Sequence, residues 1–192
     1  MRDFNSRKFP AQHFLKVLGT PFFKGGFQDM IIFMKIISKS LTETEKFAAE
    51  FVAKLEPKKD EATFVALSGE LGSGKTTFVQ CIARTLGVQE NITSPTFVLI
   101  KSYQLPVLNS PFEKGGVPIS IGTGDFKILF HIDAYRLESG KELTKLGFEE
   151  IVANPNNIIF LEWPENVAEV LPEGVLRINF EFVNEETRKI IL

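Results

Sequence analysis

A chain of 192 residues with 44% hydrophobic residues suits one domain and can bury a core without covalent staples. A formal net charge of −2 gives no footprint for autonomous nucleic-acid binding, so any role on RNA would need a partner to supply the basic surface. The single cysteine, Cys81, excludes an internal disulfide framework, and no apolar run approaches the length that spans a bilayer. The N-terminus shows charges but no apolar core followed by a small-residue cleavage site. The expectation is a cytoplasmic protein with no membrane partner.

Residues 1–30 mix Arg2, Arg7 and Lys8 with scattered phenylalanines and no sustained period, and read as an irregular extension. Thr20-Pro21-Phe22-Phe23-Lys24-Gly25-Gly26 returns later as Ser110-Pro111-Phe112-Glu113-Lys114-Gly115-Gly116. Two distant copies do not make a solenoid, and both lie in Pro/Gly-rich stretches that read as loops or insertions.

Regular structure is predicted from near Met30, with a strand over 31–37. Thr42 and Glu45 have the spacing of a capping box, and Phe47, Phe51 and Leu55 with Ala48 and Val52 form one apolar stripe. A helix is therefore predicted from Thr42 to about Leu55. After a solvated Pro57-Lys58-Lys59-Asp60 turn, Ala62-Thr63-Phe64-Val65-Ala66-Leu67-Ser68 reads as a strand buried on both faces.

The next stretch carries the chemistry. Gly69-Glu70-Leu71-Gly72-Ser73-Gly74-Lys75-Thr76 fits the phosphate-loop pattern G-x-x-x-x-G-K-[ST] at every required position. A triphosphate presents clustered negative charge, and a glycine-rich loop can turn successive backbone N–H groups inward to meet it. A helix beginning at the loop's end adds free N–H groups and the positive end of its dipole. Phe78, Ile82 and Leu86 repeat every four residues and Gly87 supplies a stop, so that helix is predicted. Strand, glycine loop and helix together point to a bound nucleoside triphosphate. Lys75 would reach the outer phosphates, and the Thr76 hydroxyl would be a ligand of magnesium.

Asn91-Ile92-Thr93-Ser94-Pro95-Thr96-Phe97 follows, then an apolar strand at Val98-Leu99-Ile100. Ser94 and Thr96 are equal candidates for a sensor of the terminal phosphate or for plain turn caps. The span 105–126 reads as an irregular insertion holding the second repeat copy. Ile128-Leu129-Phe130-His131-Ile132-Asp133 and Ile158-Ile159-Phe160-Leu161-Glu162 are apolar strands that each end in an acid. Ligands sit at the carboxyl ends of such strands, where a magnesium-orienting carboxylate belongs. His131 reads more readily as a satisfied core residue than as a catalyst. Residues 142–151 read as a broken short helix, and 175–182 with 188–192 as a C-terminal antiparallel hairpin at the edge of the sheet.

The fold class expected is α/β: a single P-loop NTPase-like domain over 31–192, with a mixed, mostly parallel sheet flanked by helices. A small-molecule P-loop kinase is the competing enzyme reading, but it should carry an arginine-rich lid, and Arg84, Arg136, Arg177 and Arg188 are widely spaced. A non-hydrolysing nucleotide-dependent scaffold is the other.

Four blocks in order give the chain a family resemblance: Gly69 to Thr77, Ser94-Pro95-Thr96-Phe97, His131-Ile132-Asp133-Ala134-Tyr135-Arg136-Leu137, and Leu161-Glu162-Trp163-Pro164-Glu165. The chain resembles the TsaE family (older name YjeE), small bacterial ATPases of tRNA threonylcarbamoyladenosine biosynthesis. The match covers roughly 36–104 and 127–192, and the two repeat-bearing stretches depart from it. The resemblance implies ATP and Mg2+ as cofactors, slow hydrolysis, and action on a TsaB–TsaD complex whose TsaD subunit modifies tRNA. The tRNA would be met only through that complex, and hydrolysis would reset it between rounds. Carried onto this chain, the resemblance makes Lys75, Asp133 and Glu162 catalytic. It makes Glu70, Leu71, Gly72, Ser73, Gly74, Lys75, Thr76, Thr77, Thr96 and Trp163 nucleotide-binding, with Thr76 and Glu162 on the metal. Asp133 would orient water or the metal's outer shell.

Overall fold

In the computed structural model, residues Lys35–Leu192 form one compact unit. The residues described are 35–90, 92–95, 98–106 and 126–192. Both copies of the Pro-Phe-x-Lys-Gly-Gly repeat, the N-terminal extension, the first part of the predicted 31–37 strand and Thr96 lie outside them.

The described chain runs β1 (Lys35–Ser38), α1 (Leu41–Val52), β2 (Thr63–Gly69), α2 (Lys75–Thr85), β3 (Ile100–Gln104), β4 (Ile128–Asp133), α3 (Lys141–Thr144), α4 (Phe148–Val152), β5 (Asn157–Glu162), a 3-10 helix (Pro164–Val170), β6 (Leu176–Phe182) and β7 (Arg188–Ile191). The strands form one seven-stranded sheet in the order β1-β7-β6-β2-β5-β4-β3. The central four, β6, β2, β5 and β4, are parallel, and the outer strands on both sides join antiparallel. Parallel strands need crossover connections and burial on both faces, which the helices supply.

Alternation of side chains along β2 and β5 divides the core in two. Phe64, Ala66, Ile159 and Leu161 pack with Ile132, Leu143 and Phe148 on the face of α3 and α4. The opposite face meets α1 and α2 through a chain of rings. Phe78 lies 5.6 Å from Phe47, 5.8 Å from Phe51 and 5.4 Å from Phe180, centroid to centroid. The predicted stripes of α1 and α2 are thus the surfaces that pack.

Four boundaries differ from expectation. The cap of α1 is Ser40, not Thr42: Ser40 is extended and its Oγ accepts from Glu43 N at 3.2 Å, while Glu43 Oε2 accepts from Lys39 N at 2.7 Å. Ser40 and Glu43 have the same S-x-x-E spacing as the pair two residues on, and Thr44 is turned inward to bond Ser38 Oγ at 2.7 Å. The helix ends at Val52, although Leu55 remains buried. Val98 and Leu99 form a turn on Pro95 O, with Leu99 at φ 68°, so the following strand starts at Ile100 and runs to Gln104. The C-terminal hairpin of β6 and β7 forms, but β1 pairs with β7 and takes the edge.

Candidate functional site

Because β2, β5 and β4 are parallel neighbours, their carboxyl ends coincide. The registers pair Leu67 with Glu162 and Glu162 with Asp133. The two predicted acids therefore stand side by side, Glu162 on the strand adjacent to the one that feeds the phosphate loop and Asp133 one strand beyond it.

The loop leaves β2 through Gly69 at φ +132°, where an added Cβ would sit 2.2 Å from the carbonyl oxygen of Phe180. It enters α2 through Gly74 at φ +104°. Gly69→Ala is expected to cost more than about 1 kcal/mol, since it meets both strain and a backbone clash; a fall in the melting midpoint measures it.

Lys75 is nearly buried at 4% exposure. Its Nζ donates to Gly69 O at 2.6 Å and Glu70 O at 2.9 Å, and lies 4.0 Å from the centre of the Trp163 ring. Burial lowers its pKa from the usual lysine range, with Glu162, Glu165 and Asp133 pulling the other way. Trp163 is held at φ 62°, a conformation that costs a non-glycine residue about 1–3 kcal/mol and persists only where its surroundings enforce it. Here they are the bond from its N–H to Leu67 O at 3.2 Å, the Lys75 ammonium, and the Tyr135 ring at 4.9 Å.

Thr76, on the first turn of α2, donates from Oγ1 to the Glu162 carboxylate at 2.8 and 3.0 Å. Asp133 accepts from Ser94 Oγ at 3.1 Å and from Tyr135 N at 3.0 Å. Of the two sensor candidates, Ser94 lies among the described residues and its hydroxyl reaches the acid; Thr96 lies outside them. Both carboxylates are 3% exposed, so each is placed by these donors.

A cleft of about 640 Å³ opens over these groups, and Gly72, Lys75, Thr76, Asp133, Glu162 and Trp163 are among its walls. Thr77 and the loop-tip Leu71 also line it. Glu70 and Ser73 do not, and their place in the loop is through backbone; the Ser73 side chain is fully buried. The sequence reading missed the far wall. Lys39, Ser40, Leu41, Glu185 and Arg188 line it because Ser38 pairs with Arg188 across β1 and β7.

The arrangement combines a lysine, a hydroxyl and two acids at one end of a parallel sheet, facing a helix N-terminus. Among the described residues no group of three His, Cys, Asp or Glu side chains is suited to hold a metal alone. That composition fits Mg2+, which takes one or two carboxylates and completes its shell with water and phosphate oxygen. No helix among the described residues is long and apolar enough to cross a membrane.

Sheet order, loop and helix define a P-loop NTPase-like α/β domain. The crystal structure of Bacillus subtilus YdiB superposes with a TM-score of 0.56 at 24% identity, covering 82% of each chain. The family profile described as threonylcarbamoyl adenosine biosynthesis protein TsaE matches residues 38–190, and this chain belongs to that family. Relatives named tRNA threonylcarbamoyladenosine biosynthesis protein TsaE include one from Rickettsia prowazekii, 33% identical over 78% of this chain and 87% of its own. Another, from Treponema pallidum, is 32% identical over 82% of this chain and 98% of its own.

Proposed function

We propose that this protein is a weak Mg2+-dependent ATPase that supports threonylcarbamoylation of tRNA adenosine. It acts on the TsaB–TsaD complex and is not itself the transferase. The family membership supports the pathway, and one contact carries the chemistry: the Thr76 hydroxyl shared with the Glu162 carboxylate, beside a buried lysine. These are the residues a phosphate-loop enzyme needs at that spot.

In this reading the loop's N–H groups and Lys75 bind the triphosphate, and Lys75 leaves the carbonyls of Gly69 and Glu70 for phosphate oxygen. Thr76 and Glu162 hold Mg2+, which when bound offsets charge that develops on the phosphates. Asp133, fixed by Ser94 and Tyr135 N, orients the attacking water or a water of the metal's shell. Glu162 is the direct ligand because it, and not Asp133, already bonds Thr76. Thr96 keeps the nucleotide-sensing role that the family resemblance gives it. The tRNA is met through the complex, consistent with a net charge of −2.

Reconstitution tests the reading. With TsaB–TsaD, tRNA and the activated threonylcarbamoyl donor, repeated rounds of tRNA modification should require both this protein and hydrolysable ATP. Modification that continues undiminished when the protein is withheld would contradict it. ATP consumption rising in proportion to an added small acceptor would point to a kinase instead.

A further inference from the structure

His131 is wholly buried in the middle of β4. Its Nε2 lies 2.8 Å from Oε1 of Glu162. A carboxylate that binds a cation is ionised and only accepts, so in that state Nε2 is the donor of this bond. Nδ1 has no partner. A ring present only to fill the core would be better replaced by hydrocarbon, because one unmatched buried nitrogen costs free energy that packing does not return. Among the described residues its side chain bonds Glu162 alone.

The sheet explains how that bond is aimed. His131 and Asp133 alternate onto the same face of β4, and the register pairs His131 with Phe160 and Asp133 with Glu162. The imidazole thus sits diagonally one pair back from the glutamate, inside the core and below the cleft. Among the described residues Oε1 takes the imidazole and Thr76, whereas Oε2 takes Thr76.

We propose that His131 is a positioning residue that holds the Glu162 carboxylate in its metal-binding orientation. The inference rests on the reading of Glu162 and Thr76 as Mg2+ ligands. The Thr76 hydroxyl donates to both carboxylate oxygens here, and when its oxygen turns a lone pair to a cation its one proton must follow that new orientation. The His131 bond comes from the core side and does not depend on how Thr76 turns, and it leaves Oε2 as the oxygen free of the imidazole. Hydrogen-bond partners of metal ligands commonly account for ten- to a hundredfold in metal affinity.

The test is the Mg2+ concentration that half-saturates binding of fluorescent ADP by the purified full chain, alongside affinity for the same probe in EDTA. His131→Phe and His131→Asn should raise the Mg2+ requirement about tenfold and leave the metal-free affinity unchanged. His131→Gln should recover most of the loss, because its amide nitrogen reaches the place of Nε2, whereas that of asparagine reaches only the place of Nδ1. Gln and Asn variants that behave alike, or a requirement that follows melting temperature across the series, would overturn the positioning role and leave a core residue. Glu162→Ala separates the two levels. If it raises the Mg2+ requirement while His131→Phe does not, the positioning role alone fails. If Glu162→Ala also leaves the requirement at the wild-type value, the metal-ligand reading fails and this inference with it.

Discussion

Lys75→Met is expected to lower ATP hydrolysis by about 10²–10³-fold, the usual loss when one preorganised charge-stabilising donor is removed from a site. Lys75→Arg should not rescue it, since the ammonium sits in a buried space between two loop carbonyls and the Trp163 ring. A planar guanidinium does not fit a site built for a compact charge. Stability should move the other way. Burial lowers the Lys75 pKa below the 10.5 of the free side chain, so at neutral pH the charged form is a cost to the fold. Lys75→Met removes that cost and should be at least as stable as wild type at pH 7. Between the lowered pKa and 10.5 the unfolded chain binds more protons than the folded one, so wild-type stability gains on the variant as pH rises through that window. Melting midpoints of the two proteins from pH 7 to pH 10 check the sign.

Phe78→Ala should be the most damaging of the core substitutions. Phe78 has no exposed surface and lies in the part of the core between the sheet and α1 and α2, touching Phe47, Phe51 and Phe180. Truncating a buried phenylalanine costs about 3–5 kcal/mol. A domain of this size has only about 5–15 kcal/mol in total. The damage also lands near the chemistry, because Phe78 lies two residues past Thr76 on α2 and its N–H bonds Gly74 O. Chemical denaturation should show a large loss of midpoint with an unchanged slope. A loss below about 1 kcal/mol would mean that the ring cluster is not what fastens α2 to the sheet.

What the sequence disclosed was what local spacing determines. The glycines, Lys75 and Thr76 must stand at fixed intervals because the loop satisfies a ligand from successive backbone groups. The acids at 133 and 162 were legible because each closes an apolar run, and a parallel sheet gathers such ends. The cap of α1 was misplaced because Ser40 and Thr42 each begin an S/T-x-x-E spacing, and only the inward bond of Thr44 to Ser38 decides between them. The start of β3 was misplaced because an apolar Val98-Leu99-Ile100 reads as a strand, whereas Leu99 adopts a positive φ that leucine rarely takes. The wall built from Ser40 and Arg188 depends on the β1–β7 register, a pairing across almost the whole domain that no local pattern encodes. His131 was read as core, and its burial agrees; its bond to Glu162 depends on the alignment of two strands well apart in sequence.

The most direct test of the account is Mg2+-dependent ATP hydrolysis by the purified protein, alone and with TsaB–TsaD plus tRNA, for wild type and Glu162→Ala. The account predicts slow turnover that the complex accelerates, and its loss in the variant while the fold is retained. Turnover that stays negligible in both settings, or that survives in Glu162→Ala at the wild-type rate, would contradict it.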